Sequence, residues 1–207
     1  MLDHLLPRVL ELVAAKPNRV IVGLAGPPGA GKTTLARDLW QGLTAHGITS
    51  AIVPMDGYHL ANEELRRLGR TNRKGAPDTF DADGYLALLW RLCTQSQSTV
   101  YAPSFDHVLN EPIAGSIPIA PSDRVIVTEG NYLLLDEEPW AGVRALLDLS
   151  VYVDVESSAE RVEGLIERQL AKGLEVKAAE DWVLRSDEAN AHLIATRSAT
   201  ADVTVTR

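Results

Sequence analysis

The sequence predicts an α/β protein with a parallel sheet covered by helices on both faces. Three observations carry that expectation. Short, uninterrupted apolar runs recur along the chain: RVIVGL at 19–24, RVIVT at 124–128 and LSVYVDV at 149–155. Such runs suit strands buried on both faces, whereas a sheet with one wet face would alternate apolar and polar residues. Stretches of helical periodicity separate them, as crossovers between parallel strands require.

Each element has its own signal. In 1–16, Leu2, Leu5, Leu6, Val9 and Val13 follow helical spacing and predict an amphipathic surface helix. Asp3, Arg8 and Glu11 interrupt it, so it does not read as a signal core, and no apolar run approaches the roughly 20 residues that cross a bilayer. A strand at 19–24 leads through a glycine-rich loop into a helix at 31–40. A second strand spans 50–55, followed by helices at 61–68 and 83–92. Strands at 124–128 and 149–155 come next. Ser157 and Glu160 have capping-box spacing and open a helix over 157–172. A helix over 181–197 and an alternating strand at 202–206 complete the set. The four tryptophans, Trp40, Trp90, Trp140 and Trp182, are scattered and read as packing anchors.

The chain has 207 residues, which suits one domain over 1–207 with a small helical lid at about 157–190. A formal charge of −8 argues against nucleic acid or an anionic membrane as partner. A single cysteine, Cys93, cannot form an internal disulfide and suits a reducing, cytoplasmic setting.

The sharpest local signal is Gly26-Pro27-Pro28-Gly29-Ala30-Gly31-Lys32-Thr33, which fits G-x-x-x-x-G-K-[ST] between a strand and a helix. Glycines let several backbone N–H groups converge on one phosphate, and the helix adds its positive end. Lys32 would reach the β- and γ-phosphates, and the Thr33 hydroxyl would ligate Mg²⁺. Thr34 is a second hydroxyl at the helix start. No guanine-reading N-K-x-D and no L-S-G-G-Q-like signature occurs, which points to a small-molecule kinase and away from regulatory GTPases and transporter ATPases. Asp81 and Gly84 fit D-x-x-G by spacing but open a helix.

Two carboxylates fall at predicted strand ends. Asp56 follows Ile52-Val53-Pro54-Met55, where a general base could take the proton of an attacking hydroxyl; Asp56-Gly57 is also an ordinary turn pair. Glu129 ends Val125-Ile126-Val127-Thr128, the place of a Mg²⁺-supporting carboxylate. Five cations, Arg66, Arg67, Arg70, Arg73 and Lys74, lie in one stretch with no acid. Of these, Arg73 and Lys74 are candidates for the substrate side. Tyr58, His59, Asp106 and His107 are candidate hydroxyl binders. On the helix at 157–172, Arg161, Arg168 and Lys172 share a face, and Arg168 is the favoured phosphate clamp. Asn190 is a weaker candidate for the adenine side.

Together these residues resemble the phosphoribulokinase, uridine kinase and pantothenate kinase superfamily of P-loop kinases. The likeness runs through Met55-Asp56-Gly57-Tyr58-His59-Leu60-Ala61-Asn62 and Arg73-Lys74-Gly75-Ala76-Pro77-Asp78-Thr79-Phe80-Asp81. It continues in Tyr101-Ala102-Pro103-Ser104-Phe105-Asp106-His107 and Val127-Thr128-Glu129-Gly130-Asn131-Tyr132. It covers about 19–197, and is nearest to short bacterial proteins described as fructose transport system kinases. The resemblance implies a P-loop NTPase three-layer sandwich with five parallel core strands, the Glu129 strand beside the P-loop strand. It implies ATP and Mg²⁺, with Lys32 and Thr33 on phosphate and metal, Asp56 as base, Glu129 on Mg²⁺ and frequent homodimers. The expected reaction is transfer of the γ-phosphoryl group to a hydroxyl of a small metabolite, a sugar such as fructose. A nucleoside, pantothenate or glycerate is the alternative acceptor, although the chain lacks room for pantothenate kinase's extra terminal segments. A regulatory ATPase of a transport system is the alternative of another class.

Overall fold

In a computed structural model, which describes residues 2–94 and 97–206, five parallel strands form one sheet. Met1, assigned to the first helix by the sequence reading, and the chain end at Arg207 lie outside the described residues. The elements run α1 (Leu2–Ala15), β1 (Val20–Ala25), α2 (Lys32–Ala45), β2 (Ser50–Pro54), α3 (Asn62–Arg67) and α4 (Ala82–Thr94). Then follow β3 (Val100–Asp106), β4 (Glu111–Ile119), β5 (Val125–Gly130), β6 (Leu149–Asp154), α5 (Ser158–Ala171), α6 (Val176–Trp182), α7 (Glu188–Arg197) and β7 (Val203–Thr206). The sheet order is β2-β5-β1-β6-β7, so the expected α/β sandwich holds, with the Glu129 strand beside the P-loop strand.

The period-two geometry of a strand divides the core. Val20, Val22 and Leu24 of β1 face α1 and α2, where Leu5, Val9, Leu35 and Leu39 are buried. Ile21 of β1 and Ile126 of β5 face the other way, onto Leu88 and Leu92 of α4. A buried polar pair behind the sheet is satisfied internally. The Tyr85 hydroxyl bonds Thr128 Oγ1, which donates to the Val53 carbonyl at 2.7 Å. α1 is amphipathic as predicted, and no helix among the described residues is long and apolar enough to cross a membrane.

Three readings of the sequence need correction. The antiparallel hairpin β3–β4 has no counterpart in the predicted elements. Pro103, Pro112 and Pro118 lie within it, and proline lacks the N–H that marks a strand's ladder. The helix expected at 181–197 begins instead at Val176 and passes through a π-helical turn at Val183–Asp187, which breaks the 3.6-residue period. The tryptophans are not equivalent: Trp140 is 1% exposed, whereas Trp90 is 61% exposed and Trp40 40%.

Trp140 anchors a third cluster at the carboxyl ends of the strands. Its ring meets Phe80 at 5.8 Å and Tyr132 at 5.5 Å, and its Nε1 donates to the Pro77 carbonyl at 3.2 Å. Trp140→Ala is expected to destabilise the fold by about 3–5 kcal/mol, and Trp90→Ala by less than about 0.5 kcal/mol. Urea unfolding followed by circular dichroism checks both values. Equal losses would show that Trp140 is not the anchor.

Candidate functional site

The register of the sheet assembles the site. Glu129 of β5 lies opposite Leu24 of β1 on one side and Pro54 of β2 on the other. The chain leaves β1 into the glycine-rich loop and leaves β2 into a short 3₁₀ turn, Met55–Tyr58, that carries Asp56. Loop, Asp56 and Glu129 therefore meet at the carboxyl edge of the sheet, where open α/β folds place ligands. They line one cavity of about 630 Å³.

Within the loop, Gly26 has φ 149°, and a Cβ there would lie 2.3 Å from the Val153 carbonyl oxygen. Only glycine allows that turn against β6. Gly29 and Gly31 also take positive φ, and Gly31 precedes the first turn of α2. Ala30 is buried in the core, and its N–H donates to the Pro27 carbonyl. Lys32 is buried, with its ammonium donating to the Gly26 and Pro27 carbonyls at 2.9 Å and to Asn131 Oδ1 at 2.8 Å. Burial pushes its pKa down from 10.5 to about 8, against the opposing pull of Glu129 and Asp56. Thr33 Oγ1 donates to Glu129 Oε1 at 3.0 Å, and Thr34 also lines the cavity. Burial raises the Glu129 pKa, as does the nearby Asp56 carboxylate.

Among the described residues no three His, Cys, Asp or Glu side chains converge as a metal cage. One carboxylate and one hydroxyl are a fitting protein share for Mg²⁺, which takes hard oxygens and relies on phosphates and water for the rest. Glu129 and Thr33 already touch, so they are the residues that could hold it.

Asp56 is half-buried, and its carboxylate has no hydrogen-bond donor among the described residues. His59 stands beside it between the rings of Phe80 (4.0 Å) and Phe105 (4.6 Å), with Nδ1 2.8 Å from the Asp56 carbonyl. The carbonyl must accept, so Nδ1 carries the proton and Nε2 is the acceptor. Burial lowers the His59 pKa, favouring the neutral ring. Lys74 Nζ lies 5.1 Å from the Phe105 ring centroid and donates to Asn62 Oδ1 and the Asn110 carbonyl at 2.6 Å each. His107 also lines the cavity.

Other expected substrate residues point elsewhere. Tyr58 packs edge-on against Tyr85 at 5.3 Å and is not among the lining residues. Arg73 pairs with Asp78 at 2.6 Å, and Arg70 with the same carboxylate at 3.3 Å. Asp106 Oδ1 accepts from the backbone N–H groups of Val108 and Leu109, closing the tip of its hairpin. Arg67, Arg70 and Arg73 of the acid-free run thus pair with acids outside it, which one-dimensional charge counting misses.

Arg168 of α5 and Lys172, the residue that caps its C-terminus, line the cavity four residues apart, but Arg161 does not join them. Arg161 is buried and donates to the Pro28 carbonyl and to Glu188, tying α5 to the loop and α7. That partner is 27 residues away, not the neighbouring glutamates of α5. Asn190 donates to the Gly75 carbonyl at 3.2 Å, bracing the loop after Lys74, and it also lines the cavity. Trp182, read as a packing anchor, lines the cavity. Asn131 and Asp187 line it too and had no role assigned from the sequence: Asn131 stood only within the run Val127–Tyr132, and Asp187 had no motif around it.

Known proteins are similar to this chain in sequence and fold. Residues 21–207 match the model of the phosphoribulokinase/uridine kinase family. A Schizosaccharomyces pombe protein, provisionally described as a uridine kinase, is 38% identical over 192 residues, covering 89% of this chain and 80% of its own. A crystal structure from Silicibacter sp. TM1040, provisionally described as a fructose transport system kinase, is 39% identical with a TM-score of 0.91 and covers 99% of this chain and 98% of its own. A D-glycerate 3-kinase from Cryptococcus neoformans shares the fold at TM-score 0.72 and 14% identity, over 100% of this chain and 95% of its own. With its P-loop, strand order and matched length, the chain belongs to the phosphoribulokinase/uridine kinase family of small-molecule kinases.

Proposed function

We propose that the protein transfers the γ-phosphoryl group of ATP to a hydroxyl of a small hydroxylated metabolite, a sugar such as fructose. One observation carries the reading. The Asp56 carboxylate, without a donor of its own, opens into the same cavity as Lys32, Thr33 and Glu129. A base and a phosphate cradle in one chamber suit attack by a hydroxyl on a bound phosphoryl group.

Asp56 takes the hydroxyl proton as the new O–P bond forms and the bond to the leaving β-phosphate oxygen breaks. Lys32 turns from the Gly26 and Pro27 carbonyls toward the phosphates, while Asn131 keeps its ammonium aimed. Glu129 and Thr33 would hold Mg²⁺, which when bound supplies positive charge to the phosphate oxygens. The segment 157–190 acts as the lid, with Arg168 at its rim as the clamp; Arg161 serves as its tether. His59 and Lys74, with His107 beside them, form the acceptor side. The Silicibacter relative supports a sugar, whereas the S. pombe relative directs attention to nucleosides.

Asp56→Asn is expected to lower kcat by about a hundredfold or more and leave ATP affinity nearly unchanged. Coupled ADP release with fructose, uridine, pantothenate and D-glycerate measures the first, and calorimetry the second. Turnover like that of the unmodified protein would remove Asp56 as base. ADP release that is independent of every acceptor would favour a regulatory ATPase.

Phosphate binding favours the charged form of Lys32 and so raises its pKa from about 8. ATP binding should therefore take up protons as pH rises through that value, and affinity should fall by up to about tenfold per unit above it. Calorimetry between pH 7.5 and 9 in buffers of different ionisation enthalpy reads the uptake. A flat affinity and no proton uptake would contradict a Lys32–phosphate contact.

A further inference from the structure

Asp187 ends the π-helical turn between α6 and α7 and lines the cavity with Asp56. π-turns re-aim side chains and recur at functional sites. Its Oδ2 is buried and has no hydrogen-bond partner. An unpaired buried oxygen of this kind is costly, so its persistence needs a reason.

The surrounding groups do not supply a donor. Arg161 is committed to Glu188 and the Pro28 carbonyl. Arg168 and Lys172 act on Asp187 electrostatically, but neither forms an ion pair with it among the described residues. Asn190, three residues on, gives its amide to the Gly75 carbonyl, and the Tyr132 hydroxyl donates to that same oxygen. The phenol's one proton and one of the two amide protons are therefore already used, and among the described residues none goes to Asp187 Oδ2. Asp187 and Asp56 both line the one cavity, so an acceptor bound there has both carboxylates in its walls.

We propose that Asp187 reads the acceptor: its carboxylate takes a hydrogen bond from a second hydroxyl, distinct from the one phosphorylated, so that the enzyme selects diols and polyols. This rests on the kinase reading above. It assigns Asp187 a role that counter-charge to the lid cations would not explain. A counter-ion would act on ATP, whose phosphates compete for Arg168 and Lys172; an acceptor ligand would act on the acceptor alone.

The test uses the full chain, unmodified and as Asp187→Ala and Asp187→Asn. Acceptor-dependent ADP release is measured with fructose, ribose, uridine and D-glycerate, each beside its analogue lacking one neighbouring hydroxyl (deoxyfructose, deoxyribose, deoxyuridine and hydroxypropionate). The unmodified enzyme should prefer its hydroxylated acceptor by roughly a hundredfold in kcat/KM, and Asp187→Ala should erase that preference while sparing the deoxy analogue. Asp187→Asn, which keeps a carbonyl acceptor, should restore part of it. KM for ATP should stay within about twofold, and the melting temperature should not fall, because no hydrogen bond to Oδ2 and no ion pair among the described residues is lost. A preserved preference, a shifted KM for ATP, or a melting temperature lower by more than about 5 °C would each overturn the assignment. Absence of acceptor-dependent ADP release from the unmodified enzyme with every compound would instead overturn the kinase reading, and this one with it.

Discussion

The Lys32 ammonium sits buried against two loop carbonyls and the Asn131 amide, with Glu129 as its strongest counter-charge. A cation out of water is expensive, and the lowering of its pKa from 10.5 to about 8 corresponds to about 3 kcal/mol at neutral pH. The surrounding structure offsets that penalty with carbonyls brought close by the glycine turns of 26–31 and a carboxylate held in sheet register. None of these groups neutralises Lys32 through a direct ion pair. The loop in this sense suits negative charge, which is the basis for assigning it the nucleotide phosphates.

The strand order makes this arrangement possible. Placing β5 between β1 and β2 sets Glu129 between the strand that feeds the loop and the strand that feeds Asp56. Phosphate cradle, metal-fitting carboxylate and candidate base therefore diverge from adjacent strand ends, each on rigid backbone. Helices α5 to α7 close the opposite side. Arg161 welds that layer to the loop, which leaves Arg168 and Lys172 free to present charge at the rim.

Much of this was legible in the sequence because the signals were local. β1 and β5 are buried at every position and β6 at most of them, so their runs are largely apolar. The G-x-x-x-x-G-K-[ST] spacing needs no tertiary information. Ser157 caps α5 by accepting from the Glu160 N–H, as its spacing predicts. The rest depended on distance in the chain. Arg73 is taken up by Asp78, and Arg161 by Glu188; Asp106 turns back on its own hairpin. Proline hid β3 and β4, and a π-turn hid the aim of Asp187. Residue type suggested which side chains could bind substrate, but only their partners decided which remained available.

The measurement that reaches the centre of this account is calorimetric titration of ATP into the unmodified protein and into Lys32→Ala. If the buried ammonium is the receptor for nucleotide phosphate, the variant should bind ATP at least about tenfold more weakly while retaining its circular dichroism spectrum. Unchanged affinity in a folded Lys32→Ala protein would contradict it.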